Sequence, residues 1–386
     1  MPRNHPSHPS RLRMEFMDQD CPCTLPACPF FIAEQRLARL DPRAAVRELA
    51  KESPTSPFTL KVAMAALVDA QYRRAGAGTA FMGQLSHRST GDRPHWDYPL
   101  RGIISIFTAI YRDSDAPRQG EDADVLKDTV SKYPVFVEAI TRDFHFLTPA
   151  DKMGDYRRCT VGGALLFFID DPATKLKMYE EQSLRLIVHC WLETSPDYPL
   201  RHYATNVLVE VIVKKALNGS QPPPDYLERV FKLVKIPHLM SRLNFLFKSR
   251  KLADEMVWHE VQVVVYLTWE WQPFSPHVVE ANVPKNVLAA IRRTLKNNAR
   301  PFDEVENLFG QVEILAQNLF DQSPNTMHVL TGLVKNTYLV EVAAEGLKRA
   351  NRSTEPVGNL LDRPGYFYRF FSHIINPKYV STPCSL

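Results

Sequence analysis

Three cysteines near the start of the chain are the first residues whose types and spacing could do chemistry. Cys21, Cys23 and Cys28 follow His5 and His8. Zinc takes four tetrahedral ligands and favours cysteine pairs separated by two to four residues. Cys23 and Cys28 have that separation, but no second pair follows, so the pattern reads as thiols on a tail and no metal is expected. His259-Glu260 begins like the helical zinc motif, in which histidines one turn apart grip the metal and the glutamate serves as base. The second histidine would stand at 263, where the chain has Val263. His189 and Cys190 are adjacent, and neighbours on a helix point apart, so they cannot act as base and nucleophile.

Cys159 follows Arg157 and Arg158 at an expected helix start, and both features would lower a thiol pKa. No partner base can be named for it, so a buried inert thiol is the expectation. No Gly-x-Gly-x-x-Gly, P-loop or Gly-x-Ser-x-Gly sequence occurs, which removes the commonest nucleotide and acyl-transfer signals. No catalytic residue and no cofactor is therefore nominated. An enzyme remains an alternative only if its site is scattered over several helices.

The candidate binding feature is basic. Arg292, Lys296 and Arg300 stand four apart on an expected helix, with Lys285 and Arg293 nearby. Such a ridge could meet phosphates or an acidic protein, although a solvated helix face explains it as well. The interleaved exposed aromatics of a single-strand binder are missing, so nucleic acid is the lesser alternative. The run Tyr366-Phe367-Tyr368-Arg369-Phe370-Phe371 is too aromatic to leave in water; it reads as the core of a terminal helix, or as the seat of a missing partner or domain.

The elements that must position these residues read as helices. With 45% apolar and 23% charged residues, the 386-residue chain has an ordinary globular balance, which argues against wholesale disorder. Glycine is scarce at 15 and proline abundant at 30, a mixture that suits helices punctuated at their first turns. Leu100, Ile103, Ile104, Phe107 and Tyr111 form a core-facing stripe after Pro99. Asp303 with Glu306 resembles a capping box ahead of Val305, Leu308, Val312, Leu315 and Leu319, and Ser323-Pro324 looks like another helix start. After Pro199 the polar side chains Asn206, Glu210 and Lys214 fall on one narrow stripe of an otherwise apolar helix. Val207–Val213 and Val261–Leu267 could be strands on propensity, but their flanks favour helix.

Residues 1–30 read as a disordered, mildly basic arm, 31–376 as one helical body, and 377–386 as a tail. The strongest breaks are 75–93, 113–121, 218–224, 272–284 and 352–364; the Pro-Pro-Pro run in 218–224 is the best candidate sub-boundary. Asp97-Tyr98-Pro99-Leu100-Arg101 recurs letter for letter as Asp197-Tyr198-Pro199-Leu200-Arg201, either by convergence on a good helix start or as a remnant of duplication. No apolar run reaches the roughly 18–20 residues of a membrane span. The six cysteines are too few for a disulfide scaffold, so reduced thiols in the cytoplasm or nucleus are expected.

A succession of amphipathic helices with short proline-marked turns resembles the armadillo- and HEAT-like α-solenoids, in which neighbouring helix pairs bury one another and a concave face binds a partner. The chain is also similar to the helical region of fungal proteins that end in a MYND-type zinc finger, although the finger's ligands are absent here. The resemblance implies an all-α, armadillo-like array acting as a non-catalytic scaffold for a protein partner.

Overall fold

The computed structural model describes residues 27–296 except 90, 92, 114–120, 170, 214–222 and 272, together with 311, 312, 314, 315, 318, 319, 341 and 342. Every regular element among them is helical. Proline accounts for many of the starts. It occupies a first-turn position in α1 (Pro29–Leu37), α2 (Pro42–Leu49) and α3 (Pro57–Val68), where its missing N–H costs nothing. Asp41 and Ser56 accept from the backbone of Ala44 and Phe58 (2.8 and 3.2 Å) and cap α2 and α3.

The chain forms two compact units that change over between Val211 and Pro224. The first continues with α4 (Ala70–Arg74), α5 (Ala77–Gln84), α6 (Asp97–Asp113), α7 (Glu121–Ser131) and α8 (Tyr133–Arg142). A 3₁₀ turn at Phe144–Leu147 leads to α9 (Lys152–Ile169), α10 (Pro172–Lys177), α11 (Glu181–Glu193) and α12 (Arg201–Leu208). α6 packs most extensively on α3, and α9 on α12.

Side-chain contacts fix the directions. Tyr156 of α9 reaches Asp97 of α6, a methyl of Ile104 faces Gly163, and Phe107 stacks on Phe167 with centroids 5.0 Å apart. Residue numbers climb both helices together, so α6 and α9 run parallel. Across the other side of α9, Cys159 lies near Arg201 and Gly162 lies under the Ala204 backbone, so α12 runs the same way. α8 meets α11 where Tyr133 donates to Ser183 (2.9 Å), and the 3₁₀ turn that follows α8 sets Phe144 against the His189 ring.

In α6, Leu100, Ile103 and Phe107 of the expected stripe are buried, and Ile104 and Tyr111 are half-buried. α12 passes into a π turn at Val209–Val213, in the β-branched run. A π turn interrupts the regular backbone ladder, and the buried Tyr179 hydroxyl donates to the Val211 carbonyl there (2.9 Å).

The second unit contains α13 (Tyr226–Leu233), α14 (Ile236–Lys248), α15 (Asp254–Glu270), α16 (Phe274–Glu280) and α17 (Val283–Leu295). α14 and α17 share its largest helix contact. Asn286 donates to the Asn244 side chain (2.6 Å), which in turn donates to the Ala281 carbonyl at the end of α16 (2.7 Å).

Two of the expected breaks contain helices. α5 lies inside 75–93, because Gly78 and Gly102 permit close helix approach rather than a turn: a Cβ there would stand 2.5 Å from Thr129 and from the Phe81 ring, respectively. α16 lies inside 272–284, where Phe274, packed 5.3 Å from the Phe231 ring, holds a short helix between prolines. The expected helix starts at 303 and 323 and the aromatic run at 366–371 lie outside the described residues.

Candidate functional site

A buried polar arrangement lies where α6, α9 and α12 begin. Each helix contributes a buried arginine: Arg101, Arg158 and Arg201 are 2%, 1% and 1% exposed. Removing a guanidinium from water is costly unless carbonyls or carboxylates replace the lost hydration, and each has such acceptors.

Arg101 faces Asp97 one turn earlier, with two contacts of 3.3 Å. Its guanidinium lies 4.8 Å above the Tyr156 ring and 5.5 Å from that of Tyr98. Burial works against its charge, but Asp97 and the two tyrosines outweigh it and raise its pKa above the ordinary range. Burial raises the pKa of Tyr156, whose hydroxyl donates to Asp97 (3.2 Å).

Arg158 donates to Asp155 (2.7 Å) and to the carbonyls of Leu147 and Pro149 (2.6 and 2.8 Å). Asp155 also accepts from the Ser195 backbone (2.8 Å), which ties the segment before α12 to α9. Arg201 donates to the Thr194 carbonyl. The 3₁₀ turn is therefore strapped onto α9, and it can approach because Gly154 carries no side chain: a Cβ there would sit 1.9 Å from the Pro149 carbonyl oxygen.

His189 is part of the same strap. Its Nε2 donates to the Leu147 carbonyl (3.1 Å), and its ring packs 4.6 Å from Phe144. Burial lowers its pKa, against the pull of that carbonyl. Its neighbour Cys190 points elsewhere and is fully buried, with burial pushing its thiol up to about 12. Cys159 is buried as expected, and only its expected place at a helix start is corrected. α9 starts at Lys152, so the thiol lies two turns inside the helix, and burial, aided by Cys190, raises its pKa rather than lowering it. Both thiols are held in the protonated, unreactive form.

Of the expected basic ridge, Arg292 and Lys296 stand one turn apart at the end of α17, Arg292 half-buried and Lys296 exposed. Arg293 is half-buried and donates to the Phe247 and Ser249 carbonyls (2.8 and 3.0 Å), closing the end of α14. Arg292 pairs with Glu341. Lys285 and Lys296 are exposed near opposite ends of α17, and Arg300 lies outside the described residues.

Cys28 is buried with Phe30, Leu60 and Tyr98 rather than beside ligands, while His5, His8, Cys21 and Cys23 lie outside the described residues. No group of three or more His, Cys, Asp or Glu side chains among the described residues could hold a metal ion. Glu260, next to His259, is fully buried in α15. No helix among the described residues is long and apolar enough to cross a membrane.

Sequence reasoning singled out neither Asp155–Arg158 nor Arg201 as a buried pair or anchor. The available signal was the pentapeptide echo, which begins Asp-Tyr like Asp155-Tyr156. No family model, curated protein or solved structure matches this chain.

Proposed function

We propose that the protein is a non-catalytic interaction scaffold built as an armadillo-like stack, and that it binds a protein partner in the cytoplasm or nucleus. The observation that carries this reading is the row of parallel helices α6, α9 and α12, whose starts are held by buried arginines, on Asp97 and Asp155 in α6 and α9 and on the Thr194 carbonyl before α12. A row of parallel helices is an arrangement that lets a solenoid present one continuous face. The chemistry of the site also favours a scaffold: its guanidinium groups serve carbonyls and carboxylates, and its thiols are held protonated.

Affinity purification of the tagged full-length chain from its native cells, with mass spectrometry, tests the proposal. A protein recovered at stoichiometric amounts is the expected result. A solitary chain that instead turns over a small molecule would overturn it.

A further inference from the structure

The second unit carries an exposed feature that the proposed function does not yet use. Between Arg229 and Lys251 the chain has seven lysines and arginines and no aspartate or glutamate, in a protein whose net charge is only +4. α14 turns part of this run into one face. Its apolar side, including Leu239, Leu243 and Phe247, is buried. On the opposite side, at steps of three and four residues, stand Lys235, His238, Arg242, Phe245 and Lys248. The stripe is about 20 Å long at ~1.5 Å per residue.

Phe245 is the informative member. It is 53% exposed, and the Arg242 guanidinium lies 5.1 Å from its ring. Lys235 and Lys248 are exposed on either side and make no ion pair among the described residues. Cations near a helix C-terminus are favoured by the macrodipole, which accounts for Lys248 and Arg250. That effect explains neither Lys235 at the opposite end nor a large apolar ring left in water among cations.

We propose that this face of α14 docks a carboxylate-rich amphipathic segment of a partner protein, with acids meeting Lys235, Arg242 and Lys248 and an apolar side chain covering Phe245. The inference rests on the scaffold reading and names the chemistry of its partner. Spacing favours an acidic protein over nucleic acid. Arg242 stands seven residues from Lys235 and six from Lys248, about 10 Å each way at ~1.5 Å per residue, matching acids two turns apart on a facing helix. Duplex DNA presents a charge every ~1.7 Å along its axis, and a convex helix face offers no groove along which a strand could run. An exposed aromatic ringed by polar groups is also how a protein–protein anchor is built.

The test uses the full chain and fluorescence anisotropy with three probes. These are a labelled helical peptide repeating Glu and Leu at heptad spacing, a single-stranded oligonucleotide of equal charge, and vesicles containing phosphatidylserine. The peptide is expected to bind best. Its affinity should fall about tenfold in Phe245→Ala and more in Lys235→Glu/Lys248→Glu; circular dichroism verifies that these surface variants stay folded. Tighter binding of the oligonucleotide or vesicles, or peptide affinity that neither variant changes, overturns the proposal.

Purification from cells separates the two readings. A partner retained by Lys235→Glu/Lys248→Glu removes this docking face and leaves the scaffold intact. A wild-type chain that captures nothing removes both.

Discussion

Gly162 and Gly163 are adjacent in α9, yet the structure assigns them opposite responses to the same substitution. A Cβ on Gly162 would lie 3.0 Å from the Cα and N of Ala204 and 3.2 Å from the carbonyl carbon of Tyr203. These are backbone atoms of α12, so no rotamer change relieves the contact. A Cβ on Gly163 would meet only the Tyr203 ring at 3.7 Å and Ile104 at 3.9 Å, ordinary van der Waals distances. Alanine in place of glycine inside a helix gains about 1 kcal/mol in propensity. Gly163→Ala should keep most of that gain. Gly162→Ala must displace α12, whose start is held by Arg201 on the Thr194 carbonyl, and overpacking of this kind costs ~1–3 kcal/mol. Gly162→Ala should therefore be less stable than Gly163→Ala by about 1–3 kcal/mol, or several degrees in Tm for a unit of this size. Thermal unfolding followed by circular dichroism measures the difference, and hydrogen exchange of α9 and α12 amides assigns it to the first unit. Equal stability of the two variants would refute the close helix crossing.

Other expectations concern the buried groups. Arg158→Met leaves the Asp155 carboxylate buried without its cation and should cost about 3–5 kcal/mol in urea unfolding; a loss below ~1 kcal/mol would mean that Ser195 alone satisfies Asp155. Cys159 and Cys190 should resist iodoacetamide at neutral pH in the folded chain and react once it is denatured, as peptide mapping would show; rapid native labelling would contradict their burial. For His189 the sign follows from its lowered pKa: the unfolded chain takes up the proton first, near ~6.5. Stability is then flat above that pH and declines as pH falls from it toward the lower folded value. Arg158 and Arg185 oppose the charge and Glu193 favours it. His189→Gln should flatten this slope, and an unchanged slope would exonerate His189.

The helices were legible where apolar spacing was regular and proline marked the start, as in α6. They were hidden where glycine serves packing. Gly78 and Gly83 make 77–84 look like a loop, but Ala77, Phe81 and Met82 give it a buried face, and only the neighbouring helices reveal why small residues stand there. The buried arginines at the starts of α6, α9 and α12 were hidden for a related reason. Arginines read as surface residues in a sequence, and nothing local announces that the acceptors of Arg158 are carbonyls 9 and 11 residues away. Charge spacing alone also could not show which basic residues of the ridge already have partners. A helical projection puts Arg292 and Lys296 on one face, but Arg293 closes α14 and Arg292 meets Glu341.

The repeated pentapeptide joins these points. Its two copies begin the helices that flank α9, and α9 itself carries Asp155-Tyr156 followed by Arg158. The backbones of the two copies differ: residues 97–101 are helical from Asp97, whereas 197–200 are not helical and the second helix starts at Arg201. Identical letters thus supply the same physical element, a buried guanidinium at the same end of a parallel row, through different local geometry. Burial accounts for that outcome whether the copies converged or share an origin, because a guanidinium buried at these helix starts must reach acceptors there. A planar fork suits this task better than a point charge. Arg101→Lys keeps the charge but loses the two-pronged approach to Asp97 and much of the stacking on Tyr156. It should cost about 1–3 kcal/mol, whereas Arg229→Lys, at an exposed pair in α13, should cost no more than ~0.5 kcal/mol. Equal tolerance at the two positions in chemical denaturation would show that these buried helix starts need only positive charge, and the geometric reading of the echo would fall.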